Sequence, residues 1–227
     1  EMYLSDFNYV NNKTKKVDIG FTERNNKIDN FLKENSNLIV ILHYRWIVRL
    51  LSASFEKDNK FIKQNNLKGG FYLYPASNGI FNKDEIERKI KKKLISQLNK
   101  ITKQGHKLIL IYPVPEIGFN VPRSLLKKYF IEKDKFSQNL IPVLSIDYDI
   151  FKKRNKYVFK IFDTIQNSNI YKVYPHKYFC NKKIEDKCIT NDDNNIFYHD
   201  SHHLSLKGSE FVVNDIIKLI ENIEFDK

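Results

Sequence analysis

Two apolar runs of strand length, separated by a long amphipathic segment, constrain the fold of this chain more than any other feature. The first run covers residues 38–42 and the second covers residues 107–112. Continuous apolar runs of this length are typical of parallel strands that are buried on both faces. Parallel neighbours need a crossover connection, and the segment between these runs is long enough to supply one. The two runs therefore predict an open parallel sheet.

The remaining elements extend this pattern. Asn82 and Glu85 resemble a capping box, which predicts the start of a basic helix that stops at Gly105. A third strand is predicted at residues 170–174, and a closing apolar helix follows Ser205, which is available as its N-cap. Alternating helices and strands of this kind predict an α/β fold, a three-layer sandwich around a mostly parallel sheet.

The chain is expected to form one domain with an irregular start. Residues 1–26 are polar and show no sustained period, so we predict an irregular N-terminal segment there and an α/β domain over residues 27–227. Three strands are few for such a sheet, so the first strand is expected to lie upstream of Glu1. The chain has no run of 18 apolar residues, so no membrane span is expected, and its start lacks the order of a signal peptide.

The net charge of +12 raises the question of a nucleic-acid partner. Arginine supplies only 6 of the 39 basic residues, and the lysines are spread over most of the chain beside many asparagines. Clustered basic residues on one face are typical of nucleic-acid binding, and this distribution argues against it. The charge favours attraction to an anionic polymer or membrane surface instead.

The only two cysteines, Cys180 and Cys188, lie eight positions apart in a polar segment. A disulfide between them would stabilise the fold by roughly 2–3 kcal/mol if the compartment is oxidising. The alternative is two free thiols in a reducing compartment. Together with His176 they fit no standard zinc spacing, so no metal site is expected, and nothing in the chain implies a cofactor.

Asp200 and His203 have the spacing in which one loop can supply the orienting acid and the general base of a serine hydrolase or acyltransferase. With 15 Asp and 6 His in 227 residues, chance alone gives about 0.4 such pairs, so the spacing alone is weak evidence. The pair gains weight because it directly precedes the closing helix. The alternative is a pair of surface loop residues without chemistry.

Four motifs in a fixed order carry a family resemblance. Arg45-Trp46 ends the first apolar strand, Pro113-Val114-Pro115-Glu116 ends the second, the cysteine pair follows, and residues 200–208 read Asp-Ser-His-His-Leu-Ser-Leu-Lys-Gly. Over residues 28–223 the chain resembles the SGNH domain attached to the C-terminus of bacterial acyltransferase-3 membrane proteins, which O-acylate surface polysaccharides. The resemblance implies a flavodoxin-like SGNH-hydrolase fold and a Cys180–Cys188 disulfide.

The resemblance also implies the roles of the loop residues. His203 would act as the general base and Asp200 would hold its ring, so that an acyl-serine can form. His202 is then expected to be a solvated neighbour. The family's nucleophile lies in a Gly-Asp-Ser motif, which this chain lacks; Leu4-Ser5-Asp6 has no glycine and no preceding strand, so Ser5 is not assigned. We therefore expect no nucleophile in this chain, its serine lying upstream of Glu1, and the alternative is an inactive homologue.

Arg45 lies near the position where relatives of the wider SGNH class carry an asparagine that helps to stabilise the oxyanion. A guanidinium there could stabilise the same charge, or bind an acyl donor or a glycan. The alternative is an arginine that pairs with a carboxylate and packs against Trp46. Glu116 is assigned no catalytic role.

The resemblance implies the function and the partners. We expect the extracytoplasmic, periplasmic part of a bacterial membrane O-acyltransferase, joined to an integral-membrane acyltransferase domain upstream of this chain. It would pass an acyl group, expected to be acetyl, from an acyl donor to hydroxyls of a glycan acceptor such as lipopolysaccharide. The alternatives are a free SGNH esterase, which hydrolyses acyl esters, and an inactive surface-binding homologue.

Overall fold

The computed structural model describes residues 7–11, 14–51, 71–76, 80–131 and 142–225. Within these ranges the strands are β1 (Phe7–Asn11), β2 (Ile39–Leu42), β3 (Phe71–Pro75), β4 (Lys107–Ile111), β5 (Ser145–Asp147), β6 (Ile170–Val173) and β7 (Lys187–Ile189). The helices are α1 (Ile19–Glu34), α2 (Trp46–Leu51), α3 (Lys83–Lys103), α4 (Val121–Ile131), α5 (Tyr148–Phe162), α6 (His176–Phe179) and α7 (Leu206–Asn222). None of these helices is both long and apolar enough to cross a lipid bilayer.

Strands β2, β4 and β6 form the central sheet, in that order and all parallel. Ile39 of β2 lies opposite Lys107 of β4, and Leu108 of β4 lies opposite Ile170 of β6. These are the three strands that the sequence predicts, and their carboxyl ends share one edge of the sheet. The predicted parallel sheet is confirmed.

Side chains of β4 alternate between the two faces of this sheet. Leu108 and Leu110 pack into a core cluster with α2, α3 and α5, while Ile109 and Ile111 pack with α7 on the opposite face. All four are at most 5 % exposed, because β4 lies between two strands and two helical layers. The arrangement is a three-layer α/β sandwich, as predicted.

Strand β2 is less buried than its apolar sequence predicts. Its residues are half-buried and Ile41 is 45 % exposed. Among the described residues, β2 pairs only with β4, so it is an edge strand of the central sheet. The expectation of a strand buried on both faces holds for β4 and is wrong for β2.

The predicted irregular structure of residues 1–26 is wrong where the structure describes this segment. Strand β1 pairs antiparallel with β3, and α1 already begins at Ile19. Asp18 is the N-cap of α1, where its Oδ1 accepts the backbone N–H of Phe21 at 3.0 Å. The start of ordered structure therefore lies before residue 27, and the domain boundary at that residue stays a prediction.

Local helix signals in the sequence are confirmed. Asn82 and Glu85 form both hydrogen bonds of the capping box at the start of α3. Gly105 follows the end of α3 with φ +87°, in the left-handed region that favours glycine. Ser205 is the N-cap of α7, as predicted.

Candidate active site

The Asp-x-x-His segment forms a tight loop in which one carboxylate binds its own backbone. Oδ1 of Asp200 accepts the backbone N–H of His202 at 2.7 Å and that of His203 at 2.8 Å. Oδ2 of the same carboxylate lies 2.7 Å from Nδ1 of His203. The loop therefore pairs Asp200 with His203 in the geometry of an acid that orients an imidazole, and the catalytic roles of both residues remain a prediction.

Backbone hydrogen bonds fix this loop to the rest of the domain. The N–H of His199 donates to the carbonyl of His203 at 2.8 Å, which closes the loop on itself. The N–H of Ile117 donates to the carbonyl of Ser201 at 2.8 Å. The second bond joins the loop to the segment after β4, so the pair lies at the carboxyl edge of the central sheet, where open α/β folds bind ligands.

The start of α7 holds the other end of the loop. Oγ of Ser205 accepts the N–H of Gly208 at 3.0 Å and donates to the carbonyl of Ile196 at 2.6 Å. A Cβ atom at Gly208 would lie only 2.1 Å from the carbonyl oxygen of Phe197. Glycine is required there because the helix start and the strand-like segment before the loop approach each other closely.

The charge of Asp200 is strongly stabilised. Burial by itself would raise the pKa of its carboxyl, but the backbone N–H groups of His203 and His202 and the His203 ring hold that pKa well below its ordinary range. Burial lowers the pKa of His202, and the nearby charge of Arg45 lowers it further. At neutral pH the loop therefore presents an ionised Asp200 beside a neutral His202.

His202 is not the solvated neighbour that the sequence predicts. Its side chain is only 22 % exposed, whereas the side chain of His203 is 64 % exposed. The two imidazole rings lie 4.0 Å apart between centroids. One ligand atom from each of Asp200, His202 and His203 lies within 4.8 Å of the other two.

A cavity of about 330 Å³ opens beside this loop at the carboxyl ends of β2 and β4. One wall is the apolar face of α7, which the sequence shows only as a hydrophobic stripe. The apolar lining residues are Tyr44, Trp46, Ile47, Ile111, Pro113, Val114, Leu204, Val212, Val213 and Ile216, and the polar ones are His43, Arg45, Glu116, Asn155, His202, His203 and Ser209.

Arg45 both lines this cavity and forms an ion pair. Its Nε and Nη2 donate to the two carboxylate oxygens of Glu116, each at 3.1 Å. Arg154 donates to the same carboxylate from the buried side at 2.8 Å. Trp46 is fully buried and its indole N–H donates to the carbonyl of Ile111. Arg45 thus pairs with a carboxylate, as the alternative interpretation of the sequence predicts. Its role toward substrate stays a prediction.

The predicted disulfide between Cys180 and Cys188 is present. Both cysteines are buried in a core cluster that also contains Phe179 and Tyr198. The rings of these two aromatic residues lie 5.8 Å apart, and Tyr198 immediately precedes the active-site loop. The disulfide therefore belongs to the core beneath the loop, and its sulfur atoms are not available as zinc ligands.

No described serine hydroxyl is hydrogen-bonded to His203. Oγ of Ser201 lies 2.9 Å from Nδ1 of His202 instead, and Ser205 caps α7. Ser5, which the sequence leaves unassigned, lies outside the described residues. The described site thus contains a carboxylate hydrogen-bonded to an imidazole, with a cavity next to them.

Comparison with known proteins identifies the family. The family model described as "SGNH domain (fused to AT3 domains)" matches residues 4–218, which is nearly the whole chain. The chain belongs to this family. The resemblance stated from the four motifs is therefore confirmed. No sequence among the curated proteins matches the chain.

A solved structure has the same fold as this SGNH domain. It is the periplasmic domain of the lipopolysaccharide acetyltransferase of Salmonella ser. Paratyphi A, which superposes with a TM-score of 0.53 at 18 % sequence identity. The match covers 92 % of the chain and 66 % of the Salmonella domain. At this identity the similarity establishes the fold, and the SGNH domain spans only about two thirds of that structure's length.

Proposed function

We propose that this SGNH domain is the extracytoplasmic part of a bacterial membrane O-acyltransferase. It would transfer an acyl group, expected to be acetyl, to hydroxyls of a cell-surface polysaccharide. The single observation that carries the proposal is the hydrogen-bonded pair of Asp200 and His203, 2.7 Å apart, at the carboxyl edge of an SGNH sheet.

The pair has the features that a general base requires. Nδ1 of His203 is held by Asp200, which leaves Nε2 as the nitrogen that exchanges protons with a reacting hydroxyl. The His203 side chain is 64 % exposed, so a hydroxyl group can reach it. The permanently ionised carboxylate of Asp200 stabilises the imidazolium that forms when Nε2 takes a proton.

The proposed reaction uses a serine from outside the described residues. Nε2 of His203 takes the proton of the serine hydroxyl while the serine oxygen attacks the carbonyl carbon of the acyl donor. The proton then passes to the leaving group, and an acyl-serine remains. In the second half, the glycan hydroxyl gives its proton to Nε2 and attacks the acyl-serine, and the serine oxygen takes the proton back.

Arg45 is proposed to act on the substrate from the cavity wall. Its guanidinium is held by both oxygens of Glu116 but keeps 37 % of the side chain exposed. A fixed and partly exposed cation that lines the same cavity as His203 is suited to stabilise a developing oxyanion, or to bind an anionic group of the donor or acceptor. Glu116 would then position Arg45 without contacting substrate.

The proposed partners and location follow from the family. Its members are SGNH domains fused to AT3 domains, which supports an integral-membrane acyltransferase domain as the partner that supplies the acyl group. The Cys180–Cys188 disulfide supports an oxidising compartment such as the periplasm. The Salmonella structure, a periplasmic domain of a lipopolysaccharide acetyltransferase, is compatible with a glycan acceptor.

The decisive experiment replaces the base in the full-length protein within its own host. His203→Gln should abolish the acyl ester content of the surface polysaccharide, because removal of such a base typically lowers the rate by about 10⁴ to 10⁶. His199→Gln is the matched control, since this exposed histidine lies in the same loop and only its backbone contacts His203. Unchanged ester content in His203→Gln, at normal protein level, would overturn the proposal.

The esterase remains a second candidate because the exposed position of His203 gives water access to the base. Water would then replace the glycan hydroxyl in the second half of the reaction. Purified full-length protein distinguishes the two functions when it is given an acyl donor with and without the polysaccharide. Equal release of free acid in both cases would favour the esterase, and release that depends on the glycan would favour the transferase.

A further inference from the structure

The loop at residues 200–203 carries more potential metal ligands than an acid–base pair needs. His203 and Asp200 form that pair, but His202 is turned toward them with its ring 4.0 Å from the His203 ring. One ring nitrogen from each histidine and one oxygen from Asp200 lie within 4.8 Å of one another. Nδ1 of His202 is also 3.7 Å from Oδ1 of Asp200. Three donor atoms thus converge on one small volume.

These distances are close to those of a transition-metal site. Ligand atoms about 2.0–2.2 Å from a tetrahedral Zn²⁺ lie roughly 3.4 Å apart. The present separations, 2.7 Å between Asp200 and His203 and 3.7 Å between Asp200 and His202, lie on either side of that value, and the exposed His203 ring has room to adjust. Asp200 is already fixed by two backbone N–H groups, so one ligand keeps its place.

The donor set also selects the class of ion. Two imidazole nitrogens with one carboxylate oxygen suit Zn²⁺, Cu²⁺ or Ni²⁺, whereas Mg²⁺ and Ca²⁺ prefer sites built of oxygen. Three protein ligands leave a fourth position for water, as in zinc sites that are open to solvent. Arg45, whose charge acts on His202, is bound by both oxygens of Glu116, which reduces its repulsion of an incoming ion.

We propose that Asp200, His202 and His203 bind one Zn²⁺ or a similar divalent transition-metal ion, and that the bound ion blocks the acid–base pair. Binding of the ion follows from the geometry alone. The block rests on the proposed function, because the metal would occupy the imidazole that serves as the base. The sequence predicts no metal site, because His176, Cys180 and Cys188 fit no standard zinc spacing and His202 is expected to be solvated.

The binding test uses the full-length protein after removal of metals with a chelator. Isothermal titration with ZnCl₂ should show one site, and His202→Gln should weaken its affinity at least about tenfold, since even outer-sphere partners contribute that much. His199→Gln, the matched control in the same loop, should bind Zn²⁺ like the wild type. MgCl₂ should give no comparable binding.

Three outcomes would overturn the metal site. They are no Zn²⁺ binding by the wild type at about 100 μM, equal affinity in His202→Gln, and an equal loss in His199→Gln. None of them depends on activity, so failure of the proposed function leaves this test intact.

The block is tested separately: Zn²⁺ should inhibit acyl transfer reversibly at the concentration at which it binds. Saturation of the site without inhibition would contradict the block.

Discussion

Nη2 of Arg154 donates to Oε2 of Glu116 at 2.8 Å, and both side chains are more than nine-tenths buried. On its other side the same carboxylate binds Arg45, which reaches the cavity. Glu116 therefore connects a cation of the core with a cation of the candidate site. Loss of this carboxylate would affect both, because it is the shared partner.

Glu116→Gln should destabilise the domain by about 3–5 kcal/mol, because it removes the carboxylate charge that the buried Arg154 and Arg45 both bind. Urea unfolding followed by circular dichroism measures this loss. Glu210→Gln is the control, since its partner Lys207 lies on the surface of α7 and such pairs contribute below about 1 kcal/mol. A similar small loss in both variants would contradict the central role of Glu116.

Gly208→Ala should destabilise the domain by about 1–3 kcal/mol, because the added Cβ meets the carbonyl of Phe197 and must displace backbone. Gly20→Ala provides the opposite control in α1. A Cβ there has Arg24 Nη1 as its nearest neighbour at 3.2 Å, the end of a flexible side chain, so a gain of about 0.4–1 kcal/mol is expected. Urea midpoints of the two variants should therefore move in opposite directions, and equal stability of Gly208→Ala and wild type would refute the close approach.

Removal of the disulfide by the double change Cys180→Ala and Cys188→Ala should lower the free energy of unfolding by roughly 2–3 kcal/mol, since the bridge closes a short loop. Treatment of the wild type with a reductant should produce most of the same loss. The measurement is urea unfolding with and without reductant. A reductant effect that persists in the double variant would show that it does not act on this bond.

His176 should make stability depend on pH. Burial among aromatic rings lowers its pKa to about 4, below the ordinary value of 6.5. The unfolded chain therefore binds the proton more readily, so stability is complete above pH 6.5 and falls as the pH drops through 4, by up to about 3 kcal/mol. His176→Phe should remove this part of the slope in urea midpoints measured from pH 7 to 4. The exposed His199→Gln should keep it, and an unchanged slope in His176→Phe would contradict the assignment.

Asp200→Asn should lower the rate of acyl transfer by about 10⁴ in the full-length protein, because the amide cannot fix the His203 ring in the required tautomer. Its carbonyl oxygen can still accept backbone N–H groups, so the fold should persist, which circular dichroism can check. Asp193→Asn, an exposed carboxylate paired with Lys183, should retain full activity. Equal rates for Asp200→Asn and wild type would rule out Asp200 as the orienting acid.

The features that could be predicted from the sequence are those set by neighbours in the chain. The caps of α3 and α7 and the Asp200–His203 pair depend on residues three positions apart, so the sequence pattern indicates them, although for the pair the spacing gains weight only from its position before α7. The buried strand β4 has a continuous apolar run. The four motifs also identified the family, because their order is retained even though each is weak by itself.

The features that were missed depend on residues far apart in the chain. Strand β1 pairs with β3 across 60 to 68 positions, and nothing in the polar sequence around β1 indicates that partner. The partners of Glu116 lie 71 and 38 positions away. One signal was available: Arg154 falls between Phe151 and Val158 on the buried face of α5, and a charge on such a face requires a buried partner.

Because the Asp200 loop forms its internal hydrogen bonds from its own residues, the loop and the rest of the cavity wall can differ independently between related domains. The Asp200 carboxylate, the His203 ring and the backbone groups that align them all come from four consecutive residues. The rest of the cavity wall comes mainly from residues 43–47 after β2, the end of β4 with the segment after it, and α7, which are distant in sequence from one another. On the proposed function, substitutions in the wall outside residues 200–203 would therefore alter which molecules fit the cavity without changing the hydrogen bonds between Asp200 and His203.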